Sequence, residues 1–150
     1  MAPRNIPSFY ILWHLYLEPL LALSGAYYLH FAPSIYHSYM PPSTSYNPTS
    51  QIVYDQLASS YVFFAFIEGV ALRVVDDLPT WRVLVFGLAL CDAGHCYAAW
   101  YAMGTEGVLD WAAWRARDWV ANVLNVLPLV VRGAFLMGVG MGGGKEGGRT

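Results

Sequence analysis

The chain has 150 residues, of which 57% are hydrophobic and 12% charged, with a formal net charge of −2. The charged share is about half that of ordinary soluble domains, and mean hydropathy is +0.40. No basic run is present, which leaves nucleic-acid binding without a footprint. The composition fits a membrane protein of one domain.

Four apolar stretches follow, at about 9–31, 53–75, 81–103 and 119–140. Each is long enough as a helix to cross a hydrocarbon core of ~30 Å. The expected fold is therefore an all-α, four-helix transmembrane bundle over residues 1–140, with 141–150 a disordered Gly-rich tail. The first stretch reads as a retained span rather than a cleaved leader, because His14 and Glu18-Pro19 interrupt it. From Ala32 to Gln51 the connection is rich in Pro, Ser, Thr and Tyr, without Lys or Arg. Asp76-Asp77-Leu78-Pro79-Thr80 makes a tight polar turn after the second span. The connection Gly104–Asp118, carrying Trp111, Trp114, Arg115 and Arg117, is expected to form an amphipathic interfacial helix.

Arg4, Arg73, Arg82, Lys145 and Arg149 fall on the side of the two termini, and only Arg115 and Arg117 on the other. The positive-inside rule then places both termini in the cytoplasm, with the endoplasmic reticulum as the expected membrane. Cys91 and Cys96 lie five residues apart in one helix, roughly 8 Å between Cα atoms, too far for a disulfide.

Each span carries ionisable groups near its middle: Glu18, Glu68, Asp92 with His95, and Arg132. Such groups cost roughly 2.5–3.5 kcal/mol each at a span centre, so something must offset them. At ~1.5 Å rise per residue they fall within one slab about 10 Å thick. His14 and Glu18 are i,i+4 and Asp92 and His95 i,i+3, so each pair shares a helix face. Tyr61, Phe64 and Glu68 share a face in the second span; in the fourth, Asn122 pairs with Asn125 and Asn125 aligns with Arg132. Pro128 is expected to break the fourth helix's hydrogen-bond ladder at this depth. Gly87, Gly94 and Gly133 are expected to allow close helix approach.

Three acids face one internal arginine. A bilayer interior disfavours the surplus charge, so at least one of Glu18, Glu68 and Asp92 is expected to hold its proton at neutral pH. A protonated acid beside a carboxylate or imidazole is general acid–base machinery that needs no cofactor. The expected catalytic set is Glu18, Glu68, Asp92, His95 and Arg132, with Glu68 or Glu18 as donor and Asp92, oriented by His95, as acceptor. Arg132 is expected to be hydrogen-bonded through Asn125. His14, Tyr61, Phe64, Asn122 and Asn125 are the expected substrate-binding residues. The plain alternative is that the polar groups only staple helices together, a poor return at about 0.6 kcal/mol per bond. Asp92-Ala93-Gly94-His95 is also half of a carboxylate-x-x-His di-iron pattern, but two such motifs are needed and one is present, so no metal is expected.

Glu18-Pro19, Gln56-Leu57-Ala58, Glu68, Asp77-Leu78-Pro79-Thr80-Trp81-Arg82, Asp92-Ala93-Gly94-His95, Arg132 and Phe135-Leu136-Met137-Gly138-Val139-Gly140 carry a resemblance over most of the chain. The chain resembles a family of short four-span fungal membrane proteins, similar to secondary-metabolite enzymes that open or rearrange epoxides. Fungal membrane terpene cyclases and the emopamil-binding sterol isomerases likewise work through intramembrane acids. The resemblance implies Brønsted-acid chemistry on a lipophilic small molecule, without cofactor. Double-bond isomerisation, terpene-like cyclisation, or simple binding of a lipophilic amine or sterol are the alternatives, and a homo-oligomer stays open.

Overall fold

The computed structural model describes residue 3 and residues 6–141; Arg4, Lys145 and Arg149 of the charge argument and all but Met141 of the expected disordered tail lie outside them. Every regular element among the described residues is helical, so the fold is all-α. Helix α1 (residues 8–31) runs unbroken but changes winding: Ser8–Leu12 is α, Trp13–Leu17 a π turn, and Glu18–Phe31 α again. A short α2 (Pro33–His37) lies in the connection. Helix α3 (Pro48–Val74) contains a second π turn at Ile67–Ala71. Then follow α4 (Leu78–Leu109) and α5 (Ala116–Leu136). Among the described residues, helices α3, α4 and α5 are long and apolar enough to cross a membrane, which fits a multi-pass membrane protein; α1, expected as the first of four spans, is not one of these three.

Asp77 starts α4 by accepting the Thr80 amide at 2.7 Å, with proline following inside the first turn. Hydrogen bonding from the Thr80 side chain, and then from its amide, holds the Asp77 carboxyl below its ordinary range, because both favour the ionised form. Two expectations about boundaries need correction. Helix α5 begins at Ala116 and stops at Leu136, since Gly138 and Gly140 adopt φ of 76° and 74° and end the helix there. The interfacial helix is not formed: α4 kinks at Gly104 (φ 71°), runs on to Leu109, and a 3-10 turn at Trp111–Ala113 leads into α5. Trp114 anchors that corner through its Nε1 donor to the Gly107 carbonyl at 2.9 Å and its ring against Trp119. Pro128 also does less than expected, for α5 continues through it.

The helices form two hairpins. Helix α1 packs along α3, and α4 along α5, whereas backbone approach between the hairpins is sparse. Large side chains fill that gap at the end nearer the termini: Tyr10, Leu15, Leu72, Trp81, Val85, Val131 and Phe135 form one core drawn from the four long helices. Trp81 is fully buried, and its Nε1 donates to the Val75 carbonyl at 3.1 Å. Tyr10 donates to the Val139 carbonyl at 3.0 Å, closing the chain end over this core. A second, smaller cluster of Ala26, Leu29 and Ala58 belongs to the first hairpin alone. Gly87, Gly94 and Gly133 have open space where a Cβ would stand, so they do not mediate close approach. Gly25 and Gly69 do, facing Tyr61 and Pro19.

Candidate functional site

The site is built on the two π turns, which pack against each other. Pro19 has no N–H to offer the Leu15 carbonyl one turn back, and its ring crowds that carbonyl. The helix widens, so that Glu18 N–H bonds to the Trp13 carbonyl five residues away. Arg73, stacked on the Tyr16 ring, reaches across from α3 and donates to the Leu15 carbonyl at 2.7 Å. The widened turn points His14 and Glu18 inward, where the opposing turn presents Glu68; all three are buried.

Arg132 enters from α5 and gathers the acids of three helices. Its Nη2 donates to Glu68 Oε1 at 2.5 Å and lies 3.1 Å from Glu18 Oε1, while Nη1 donates to Asp92 Oδ2. His14 Nδ1 lies 2.7 Å from Glu18 Oε2 and 3.9 Å from Glu68 Oε1. The ion-pairing groups are thus three carboxylates, one guanidinium and one imidazole in a single cluster. Side-chain exposure is 4% for Glu18 and 1% for Glu68, but 17% for Asp92. Asp92 is the cluster's open edge.

Glu18, Glu68, Asp92 and Arg132 therefore meet as their depths predict, and His14, expected as a substrate-binding residue, joins them at the centre. His95 does not face Asp92 as expected. Its Nδ1 meets the Cys91 carbonyl at 2.9 Å and its Nε2 the Tyr61 hydroxyl at 3.3 Å. The reason is geometric: the Cys91 carbonyl one turn back captures Nδ1, which aims the opposite ring nitrogen across at α3. Asn125 is not bonded to Arg132; its carbonyl faces Cys96 Sγ at 3.5 Å. Asn122 is turned back on its own helix, donating to the Asp118 carbonyl at 2.9 Å. Phe64 is half-buried with its ring centroid 6.2 Å from that of Tyr61.

Two pairs escaped the sequence reading. Asp118 is buried against Arg115, with Nη2 to Oδ1 2.5 Å, and caps the start of α5. Asp55 pairs with His30 at 2.9 Å on an exposed face and also accepts from Gln51. Its i,i+4 spacing from Gln51 was the available signal.

Donor atoms of His14, Glu18 and Glu68 all lie within 4.8 Å of one another, the spacing a metal ion could use. The guanidinium already bonds Glu68 Oε1 from that side, so a cation would have to displace it. The half di-iron pattern is not assembled, because His95 points away to Tyr61.

Fold and site together define an all-α, multi-pass membrane protein with a buried carboxylate–arginine–histidine cluster. A family model described as "Domain of unknown function (DUF7704)" matches residues 4–142, and the chain belongs to that family. No curated protein and no solved structure matches it.

Proposed function

We propose that this protein is a membrane enzyme that opens an epoxide on a lipophilic metabolite by Brønsted-acid catalysis. The observation that carries the reading is the charge count of one enclosed cluster. Three carboxylates against Arg132 leave a surplus of two negative charges when His14 is neutral. Protons on His14 and on one acid remove that surplus, and a carboxylic acid held neutral in an apolar site is a proton donor.

Asp92 is the acid at the open edge and is the group that meets the substrate. It gives its proton to the epoxide oxygen as the C–O bond breaks, and water or an internal hydroxyl attacks the carbon. The proton lost by the attacking oxygen goes to a basic group of the site, His95 Nε2 or a carboxylate. Glu18, Glu68 and His14 stand behind Arg132 and set the charge that Asp92 feels. This replaces the sequence expectation that Glu68 or Glu18 is the donor and Asp92 the acceptor. Loading the protein in the endoplasmic reticulum with both termini cytoplasmic puts the Ala32–Gln51 connection in the lumen.

A second reading has its own support in the same surplus: a lipophilic ammonium ion would neutralise it and bind without turnover. The test is conversion of a terpenoid or polyketide epoxide in microsomes carrying wild type, Glu18→Gln, Glu68→Gln or Asp92→Asn. Asp92→Asn is expected to lose at least 100-fold in rate, the scale of general acid catalysis. Full turnover by Asp92→Asn would sink the catalytic assignment. Stoichiometric saturation by an amine, with no conversion of any epoxide, would install the binding reading.

A further inference from the structure

Beyond the charged cluster runs a second polar network. Tyr36 on α2 lies with its hydroxyl 3.0 Å from that of Tyr61 on α3, and Tyr61 is 3.3 Å from His95 Nε2 on α4. The direction of each bond follows from chemistry. A carbonyl only accepts, so the Nδ1 that meets Cys91 O must carry the proton. Neutral His95 then offers a lone pair at Nε2, and Tyr61 must donate to it. Tyr61 has no second proton, so Tyr36 donates to Tyr61. The chain is polarised from α2 inward, and its outer end is a Tyr36 oxygen able to accept.

Resting on the acid–base reading above, we propose that Tyr36–Tyr61–His95 is a proton path between the site and the face carrying the Ala32–Gln51 connection. A proton reaching the Tyr36 oxygen releases that residue's original proton to Tyr61, which releases its own to His95 Nε2. The product is an imidazolium with both tyrosines still neutral and every bond reversed. The reverse sequence expels a proton that His95 Nε2 has taken from a reacting group once the Tyr61 and Tyr36 hydroxyls have turned outward and freed its lone pair. No phenolate or hydronium is stored at either end. Around His95 stand Cys91 and Asp92 on its own helix and Tyr61 from α3, with Arg132 of α5 behind Asp92. Asp92 is three residues back on the same helix, so the path ends within one turn of the open acid although the His95 ring itself faces Tyr61.

Packing holds the middle of the path in place. One edge of the Tyr61 ring abuts Gly25 of α1, where any Cβ would come within 2.8 Å of two ring carbons. Tyr36 and Tyr61 both pack on the Ala26–Leu29–Ala58 cluster. Gly25 is thus a positioning residue, and Gly25→Ala disturbs the path while removing none of its hydroxyls.

The test is nitrogen-15 NMR of histidine-labelled protein in proteoliposomes, with His95 assigned by the signal lost in His95→Gln. Neutral His95 is expected as the Nδ1–H tautomer, and Tyr61→Phe should shift its Nε2 signal. With different pH on the two faces, His95 protonation should follow the face of the Ala32–Gln51 connection. Tyr36→Phe should slow that exchange at least tenfold while the His14 signals stay unchanged, and Gly25→Ala should slow it too. An Nε2–H tautomer, or exchange as fast as wild type in Tyr36→Phe, overturns the path. These readouts need no substrate. Intact exchange with no epoxide turnover would defeat the functional reading and leave the path standing.

Discussion

The two ends of the bundle are built on different terms. At the end nearer the termini, Trp81, Phe135, Tyr10 and Leu72 lock the four long helices around an ionic cluster. At the other, two alanines and one leucine join only the first hairpin. There the second hairpin is held by polar touches: Tyr61 to His95, Ser43 to the Ala102 carbonyl, and Arg115 to the Met40 carbonyl. Asp92 lies where the firm half meets the loose one. Under the proposed function, a lipophilic substrate would reach Asp92 from the sparsely packed end, while bulky packing surrounds the arginine and its other acids.

The comparison breaks first at Arg132. Arg132→Met leaves buried acids without their shared partner, and loss of about 3–5 kcal/mol is expected. Thermal melting in detergent reads it, and adding Glu68→Gln to the same chain should recover part. Wild-type melting in the single variant would mean that the cluster is not what binds the hairpins. Next come the two cores. Phe135→Ala should cost about 3–5 kcal/mol, but Leu29→Ala only about 2, because the alanine-lined far end has room to collapse. The reverse order would invert the description of firm and loose halves.

Gly25→Ala sharpens the picture at smaller scale. Overpacking against the Tyr61 ring should cost about 1–3 kcal/mol, measured by the same melts. Under the proposed chemistry the rate should also fall as pH rises, since the donor is the protonated form, and a chelator should leave it unchanged. A flat pH–rate profile in detergent would count against a titrating acid. The smallest effect belongs to Asp77. Its carboxyl is held low in the folded state, so its contribution is complete above the unfolded range near ~3.9 and is lost as pH falls through the folded value. Asp77→Ala should lower melting slightly at pH 7 and not at all at low pH. An equal loss at both would assign the effect to something other than the charge.

Depth was legible without a structure. Helical rise brings Glu18, Glu68, Asp92 and Arg132 to one level, and Arg132 does bind Glu68 and Asp92 and ion-pair with Glu18. Partner choice was harder. His95 shares a face with Asp92 by spacing, but a tyrosine 34 residues earlier in the chain takes its free nitrogen. The i,i+4 spacing did pair His14 with Glu18, but its approach to Glu68 across the two π turns was not visible in the sequence. Pro19 was the visible warning: the missing N–H was in the sequence, while the arginine that answers for the orphaned carbonyl was not predictable from it.

What the sequence determined by itself was the membrane-crossing character, the helical class, and the set of charges brought to one depth. These are properties of single helices, set by apolar length and a constant rise. Which carboxylates share the arginine, which acid stays open, and which hydroxyl faces the imidazole were decided only by tertiary structure. Those choices depend on helix rotation and on two widened turns, and they join residues 34 to 114 positions apart. No local pattern encodes such a pairing.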